Sequence, residues 1–221
     1  MPRSNNRVYI ALHSNPTSPL AEAYRNLRIN IEFNAGGKEM KTIALLSANP
    51  GEGKSTTALN LATAYAQIGS RTLLIDADMR KPSLHTAFGI PNNLGLTHIL
   101  AMDREPEETI QESGIPGLSI LPSGPVPVNA SELLASRKFD QLLLRLKEIY
   151  DIVLIDTPPA LKVMDASIVA SKADGAVIVV EYHKVKSDEA RRLVEEMASV
   201  NANVLGVALN KINNRDVAVY P

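Results

Sequence analysis

Lys54 and Ser55, standing behind Gly51 and Gly53, are suited by type and spacing to chemistry on phosphate. The glycines allow the backbone to curl so that successive N–H groups converge on an anion. Lys54 adds a compact full charge for the outer phosphates, and the Ser55 hydroxyl can ligate a Mg2+ that they carry. Asn49, Pro50, Glu52 and Thr56 complete this loop, which points to a nucleoside triphosphate. The second chemically useful set is acidic: Asp76 and Asp78 follow one apolar run, and Asp156 follows another. A charge at the end of a buried strand needs a partner, and a Mg2+–phosphate centre supplies one. Asp156 suits the metal, directly or through water. Asp76 or Asp78 suits either the metal or the proton of an attacking hydroxyl. Taken singly, a strand-terminal Asp also fits a helix N-cap or a turn. Arg80 and Lys81 fit either solvated charges or neutralisers of phosphate across a subunit boundary.

Strands and helices must carry these groups. The apolar run 43–46 forms a strand that enters the loop, and a helix follows with Ala58, Leu61, Ala62 and Tyr65 as its buried stripe. Gly69 should end that helix. Strand, glycine loop and helix in this order are the setting of a P-loop, and the helix N-terminus adds its partial positive charge. Further strands fall at 71–76, 151–156, 175–181 and 204–209, alternating with helices at 165–171 and 187–199 and one with Phe139, Leu142, Leu143, Leu146 and Tyr150 on a single face. Region 83–136 is less regular, with short helices at 94–101, 105–111 and 129–134 and a strand at 118–122. The alternation predicts an α/β fold of the P-loop NTPase type, a mostly parallel sheet with helices on both faces. Right-handed crossovers would bring every strand's C-terminal end, and so every loop above, to one edge.

Ahead of this core, residues 1–17 are polar and aperiodic and read as an arm. Ser18-Pro19 opens a helix with Leu20, Tyr24, Leu27 and Ile31 on one face. Glu22, Arg25 and Arg28 point away from that face, and the helix should pack on the outside of the domain. The expected organisation is one domain: arm and helix at 1–40, nucleotide-binding core at 41–211, and tail at 212–221.

Composition fits a single globular domain, with 45% hydrophobic and 21% charged residues. The net charge of −1 gives no basic excess of the kind that meets nucleic acid. Without cysteine there are no disulfides, thiolate metal sites or thiol nucleophiles. No apolar run approaches the length of a membrane span, and the first residues lack a signal peptide's apolar core. Any membrane association is therefore expected to come through a partner.

The stretches ANPGEGKST, LLIDADMRKP and VLIDTPP together resemble the bacterial tyrosine kinases of the CpsD/CapB type, cytoplasmic kinases of capsule and exopolysaccharide systems. The middle stretch is similar to the Walker A′ motif that sets this family apart from most P-loop enzymes. Glu22-Ala-Tyr-Arg25-Asn-Leu-Arg28 is similar to the ExxRxxR helix through which the family assembles rings. Segment 129–134 also resembles the family, with Ala130 where Pro is usual. The resemblance covers nearly the whole chain. It implies ATP and Mg2+ as cofactors, with Lys54 and Ser55 on phosphate and metal. It also implies Asp76 as the base for a tyrosine hydroxyl, Asp78 in support, Asp156 on the metal and Asn210 at the adenine edge. Glu22, Arg25 and Arg28 would hold the ring; the residues alone give only a solvated ion pair worth about 0.2–0.5 kcal/mol. The implied partners are protein-tyrosine substrates and a transmembrane activator of the polysaccharide co-polymerase type, which would recruit the protein to the inner face of the membrane. Family members end in a tyrosine cluster that a neighbouring subunit phosphorylates. Of six tyrosines here, only Tyr220 lies in the tail, while Tyr24, Tyr65 and Tyr150 occupy apolar helical faces. Either Tyr220 alone is the acceptor, or the tail is shortened, or other proteins are the main substrates.

The competing reading is an ATP-dependent dimerising switch of the MinD/ParA kind, which positions cargo and transfers phosphate only to water. Such proteins typically carry a second lysine early in the P-loop, and 48–51 here contains none. A third reading is a nucleotide-holding regulatory partner without useful catalysis.

Overall fold

The structure, a computed structural model, describes residues 10–212. Along β1 (Thr42–Leu46) the side chains alternate between two cores: Ile43 and Leu45 enter one, Ala44 and Leu46 the other. The same alternation runs through β2 (Thr72–Asp76), where Leu74 opposes Leu73 and Ile75. A sheet apolar on both faces must be covered on both, which is why these strands read as continuous apolar runs. The remaining strands are β3 (Gln111–Glu112), β4 (Leu118–Leu121), β5 (Ile152–Asp156), β6 (Gly175–Glu181) and β7 (Val204–Asn210). They form one sheet in the order β3-β4-β2-β5-β1-β6-β7. Every pairing is parallel except the short β3–β4 ladder. This is the mostly parallel α/β architecture expected from the alternation of elements.

Ten helices lie among the described residues: α1 (Ala11–Ser14), α2 (Pro19–Asn34), α3 (Lys54–Gln67), α4 (Leu84–Phe88), α5 (Leu96–Met102), α6 (Pro106–Thr109), α7 (Ala130–Ala135), α8 (Arg137–Ile149), α9 (Asp165–Lys172) and α10 (Ser187–Ser199). One face of the sheet is covered by α3, with Ala58, Leu59, Leu61, Ala62 and Tyr65 in its core, and by Leu84 and Ala87 of α4. Phe139, Leu142, Leu143 and Leu146 of α8, with residues of α5, α7, α9 and α10, fill the other. The register brings Asp76 of β2 level with Asp156 of β5, and Asp156 level with Leu45 of β1. Three strands therefore deliver the P-loop and two carboxylates to a single point on one edge.

The N-terminal expectation needs two corrections. Within 10–17, α1 is ordered helix rather than arm: Ala11 and Leu12 are fully buried against α3. The Ala11 N–H donates to Asn60 Oδ1 at 2.8 Å, and Gln67 Nε2 donates to the Leu12 carbonyl at 3.0 Å. A four-residue helix has no period to read, and the groups that satisfy its backbone come from α3. In α2, Ser18 Oγ accepts from the Ala21 N–H at 3.1 Å and Pro19 holds the first helical position, as expected. Its buried face, however, starts at Ala21 rather than Leu20, which is 46% exposed. Small Ala21 lets the helix approach its neighbours closely, so Leu20 in the first turn leans outward. Arg28 also departs from the solvated face assigned to it: its side chain is 14% exposed and pairs with Glu32 at 2.8 Å. Tyr24 and Tyr65 are core residues, and Tyr150, half-buried just past α8, packs against the core as well.

Candidate active site

Between β1 and α3 the chain makes the curl that its glycines allow. Gly51 and Gly53 sit at φ +83° and +91°, a region that favours glycine over any other residue. Gly53 has no room for a side chain, since a Cβ there would lie 1.9 Å from Asn210 Nδ2. Residues Asn49 to Thr56 line a cleft of about 670 Å3, and Asp78, Arg80, Lys81, Lys162 and Lys211 form other parts of its wall. The α3 N-terminus opens on it through Lys54 and Ser55.

Beneath this cleft lie the two strand-end carboxylates. Asp156 is fully buried, and one of its oxygens accepts a hydrogen bond from Lys54 Nζ. Its other oxygen, Oδ2, has no partner among the described residues. Asp76 is fully buried too. Its Oδ2 accepts from the N–H groups of Ser83 and Leu84, each at 3.0 Å; Asp76 is not the N-cap of α4, which is Ser83, but half of its carboxylate is used on that helix start. Oδ1 is left without a partner among the described residues. Burial, followed by the charge of Asp156, pushes the Asp76 carboxyl up to about 7, even though the two N–H donors pull it down. Asp78 is the member of the pair that lines the cleft; burial raises its carboxyl, and Oδ1 takes the Lys81 N–H at 3.0 Å.

These groups fit a Mg2+–triphosphate. Two unpartnered oxygens on buried carboxylates, beside a lysine and a glycine curl at a helix N-terminus, constitute a donor set for a cation carried by phosphates.

The structure brings Asn49, Pro50, Gly51, Glu52, Gly53, Lys54, Ser55 and Thr56 together with Asp78 at the cleft, and places Asp76 and Asp156 below it. Asn210 meets the loop at Glu52 and Gly53. Glu22, Arg25 and Arg28 are elsewhere, on α2; Arg25 bonds Glu22 at 2.9 Å and the Pro16 carbonyl at 2.7 Å. Tyr220 lies outside the described residues. Arg80 proves to be neither free nor simply solvated: its guanidinium bonds the fully buried Asp165 at 2.8 and 3.2 Å and Ser131 Oγ at 2.9 Å. Asp165 had only the look of a helix start, and nothing in its spacing from Arg80 announces the pair.

Residues 40–211 match the AAA domain family. Tyrosine-protein kinase YwqD of Bacillus subtilis (strain 168) is 44% identical over 195 residues, 88% of this chain and 82% of that protein. The crystal structure of the chimerical protein CapA2B2 superimposes with a TM-score of 0.88 at 41% identity, covering 92% of this chain and 89% of that one. The chain belongs to the bacterial tyrosine kinases. MinD from Pyrococcus horikoshii, solved with Mg-ADP, lies further from this family member, with a TM-score of 0.66 at 26% identity over 76% of this chain and 69% of MinD. The P-loop core is thus shared with MinD, while the match over nearly the whole chain is to the tyrosine kinases. No helix among the described residues is long and apolar enough to cross a membrane.

Proposed function

We propose that this chain is an ATP-dependent protein-tyrosine kinase that autophosphorylates and regulates capsular or exopolysaccharide synthesis. One observation carries the reading: Asp76 and Asp156 stand level on adjacent strands, each with a buried oxygen unpartnered among the described residues, beside Lys54 of the P-loop. Lys54 and the N–H groups at the start of α3 hold the triphosphate oxygens. Ser55 and Asp156 would hold Mg2+, which when bound would offset the negative charge of the phosphates. Asp76 takes the proton of the tyrosine hydroxyl at Oδ1 while its other oxygen stays tethered to Ser83 and Leu84. As that proton leaves, the bond from the tyrosine oxygen to the γ-phosphorus forms and the bond from that phosphorus to ADP breaks. A carboxyl raised toward neutrality by burial suits this exchange. Asp78 supports the same site from the cleft wall.

The acceptor in autophosphorylation is Tyr220, supplied by a neighbouring subunit of a ring that Glu22, Arg25 and Arg28 hold together. Other protein tyrosines are further substrates, and a transmembrane partner of the polysaccharide co-polymerase type brings the kinase to the inner face of the membrane. Intact-mass measurement and phosphopeptide mapping after incubation with ATP and Mg2+ test the reading. Phosphotyrosine on the wild type, absent from Lys54→Met, is expected. ATP hydrolysis with no tyrosine label, even beside an activating membrane partner, would leave the dimerising-switch reading in its place.

A further inference from the structure

The phosphate loop is held from outside by the end of β7. Asn210 Nδ2 donates to the Glu52 carbonyl at 2.9 Å, and Lys211 Nζ donates to the Gly51 carbonyl at 2.6 Å. In a planar trans peptide the C=O and the N–H of the same unit point opposite ways. Fixing the Gly51 carbonyl therefore fixes the Glu52 N–H, and fixing the Glu52 carbonyl fixes the Gly53 N–H. Both N–H groups are aimed away from the side on which Asn210 and Lys211 bind. The holding residues are themselves braced. Asn210 Oδ1 accepts the Lys211 N–H at 2.9 Å, and Glu181 Oε2, at the end of β6, takes Lys211 Nζ at 3.0 Å. Lys211 sits at φ +60°, a left-handed conformation that lysine seldom adopts, and Gly53 leaves the space that the Asn210 amide occupies.

We propose that Asn210 and Lys211 are positioning residues that set the N–H groups of the phosphate loop for the triphosphate. This differs from reading the adenine base, because it acts on every polyphosphate alike. It rests on the assignment of the loop to ATP.

Calorimetric titration of the full chain with ATP, GTP and inorganic tripolyphosphate, each with Mg2+, separates the possibilities. Asn210→Ala and Lys211→Ala should each weaken all three ligands by the same factor, about fivefold to thirtyfold for the loss of one orienting hydrogen bond. With Mg2+ and ATP bound, amide exchange at Glu52 and Gly53 should quicken in the same variants. Asn210→Asp should fail to rescue, because it lacks the donor. Glu181→Ala should also weaken binding, since Lys211 loses its brace; if Lys211 contacted phosphate directly, its release from Glu181 would tighten binding instead. A loss confined to ATP, a tighter Glu181→Ala variant, or unchanged exchange at Glu52 and Gly53 would overturn the proposal. Lys211 is exposed, so its variant and that of Glu181 decide the matter if Asn210→Ala does not fold. Wild type that binds ATP while every variant matches it overturns only this inference. Wild type that binds none of the three ligands overturns the ATP assignment with it.

Discussion

Lys54 Nζ donates to Asp156 Oδ1, joining the cation of the phosphate loop to a carboxylate 102 residues later at the end of β5. Their side chains are 7% and 0% exposed, so neither charge has much recourse to water. Removing one member of such a pair strands the other. Lys54→Met should destabilise the nucleotide-free protein by about 3–5 kcal/mol besides abolishing phosphotransfer. Adding Asp156→Asn should recover most of the stability and none of the activity. Thermal melts of the wild type, both single variants and the double variant test this; a double variant as unstable as Lys54→Met would show that the pair is not the cause.

Asp76 gives the nucleotide-free protein a pH dependence of definite sign. Its carboxyl is raised from the usual 3.8 to about 7, so between those values the unfolded chain has lost a proton that the folded chain keeps. Stability from this group is complete at low pH and falls as pH rises through that window, by at most about 1.4 kcal/mol per unit. Asp76→Asn can still accept from Ser83 and Leu84 but does not ionise. The variant should therefore gain on wild type as pH climbs and exceed it above about 7, while losing tyrosine phosphorylation by roughly 10²–10⁴-fold. Melting the two proteins side by side across this range is the check; a constant difference would rule out Asp76 as the titrating group.

The Arg80–Asp165 pair should respond unequally to its two deletions. Asp165 is fully buried and Arg80 is 45% exposed. Arg80→Ala leaves a buried carboxylate with Ser131 Oγ at 2.5 Å as its remaining side-chain partner and should cost about 3 kcal/mol. Asp165→Ala releases a guanidinium that water can solvate and should cost about 1 kcal/mol. Denaturant midpoints decide it, and equal losses would mean that packing rather than charge sets the effect.

Assembly is predicted to depend on α2. Replacing Glu22, Arg25 and Arg28 together by Ala should reduce a ring to monomers in light scattering. The Glu22–Arg25 pair is solvent-accessible, Glu22 at 60% and Arg25 at 33%, and its loss within one subunit should cost less than about 1 kcal/mol. An unchanged particle mass would remove α2 from the interface.

The parts of this molecule that repeat a local pattern were legible in its sequence. The apolar runs of β1, β2 and β5, the glycine curl before Lys54, and the stripe on α8 each follow from a short window of residues. The carboxylates of Asp76 and Asp156 could be placed on one edge because parallel strands leave few alternatives. What escaped depends on distant segments: α1 docks on Asn60 and Gln67, Arg80 reaches Asp165, and Lys211 reaches back to Gly51. A helical period implied that Leu20 would be buried, yet it cannot say where along a face the neighbouring helix begins. The two-residue strand β3 is too short for any alternation to be seen.

Asp76 Oδ1 and Asp156 Oδ2, buried without partners among the described residues, concentrate a desolvation cost beneath the phosphate loop. A ligand that supplies that missing partner raises the free energy of unfolding by RT ln(1 + L/Kd), where L is its free concentration, and so logarithmically with that concentration. Nucleotide supply then governs how long the chain survives as well as how fast it works. In cells depleted of ATP the protein should open more often, meet proteases sooner and fall in abundance, so that the polysaccharide machinery loses its kinase by turnover.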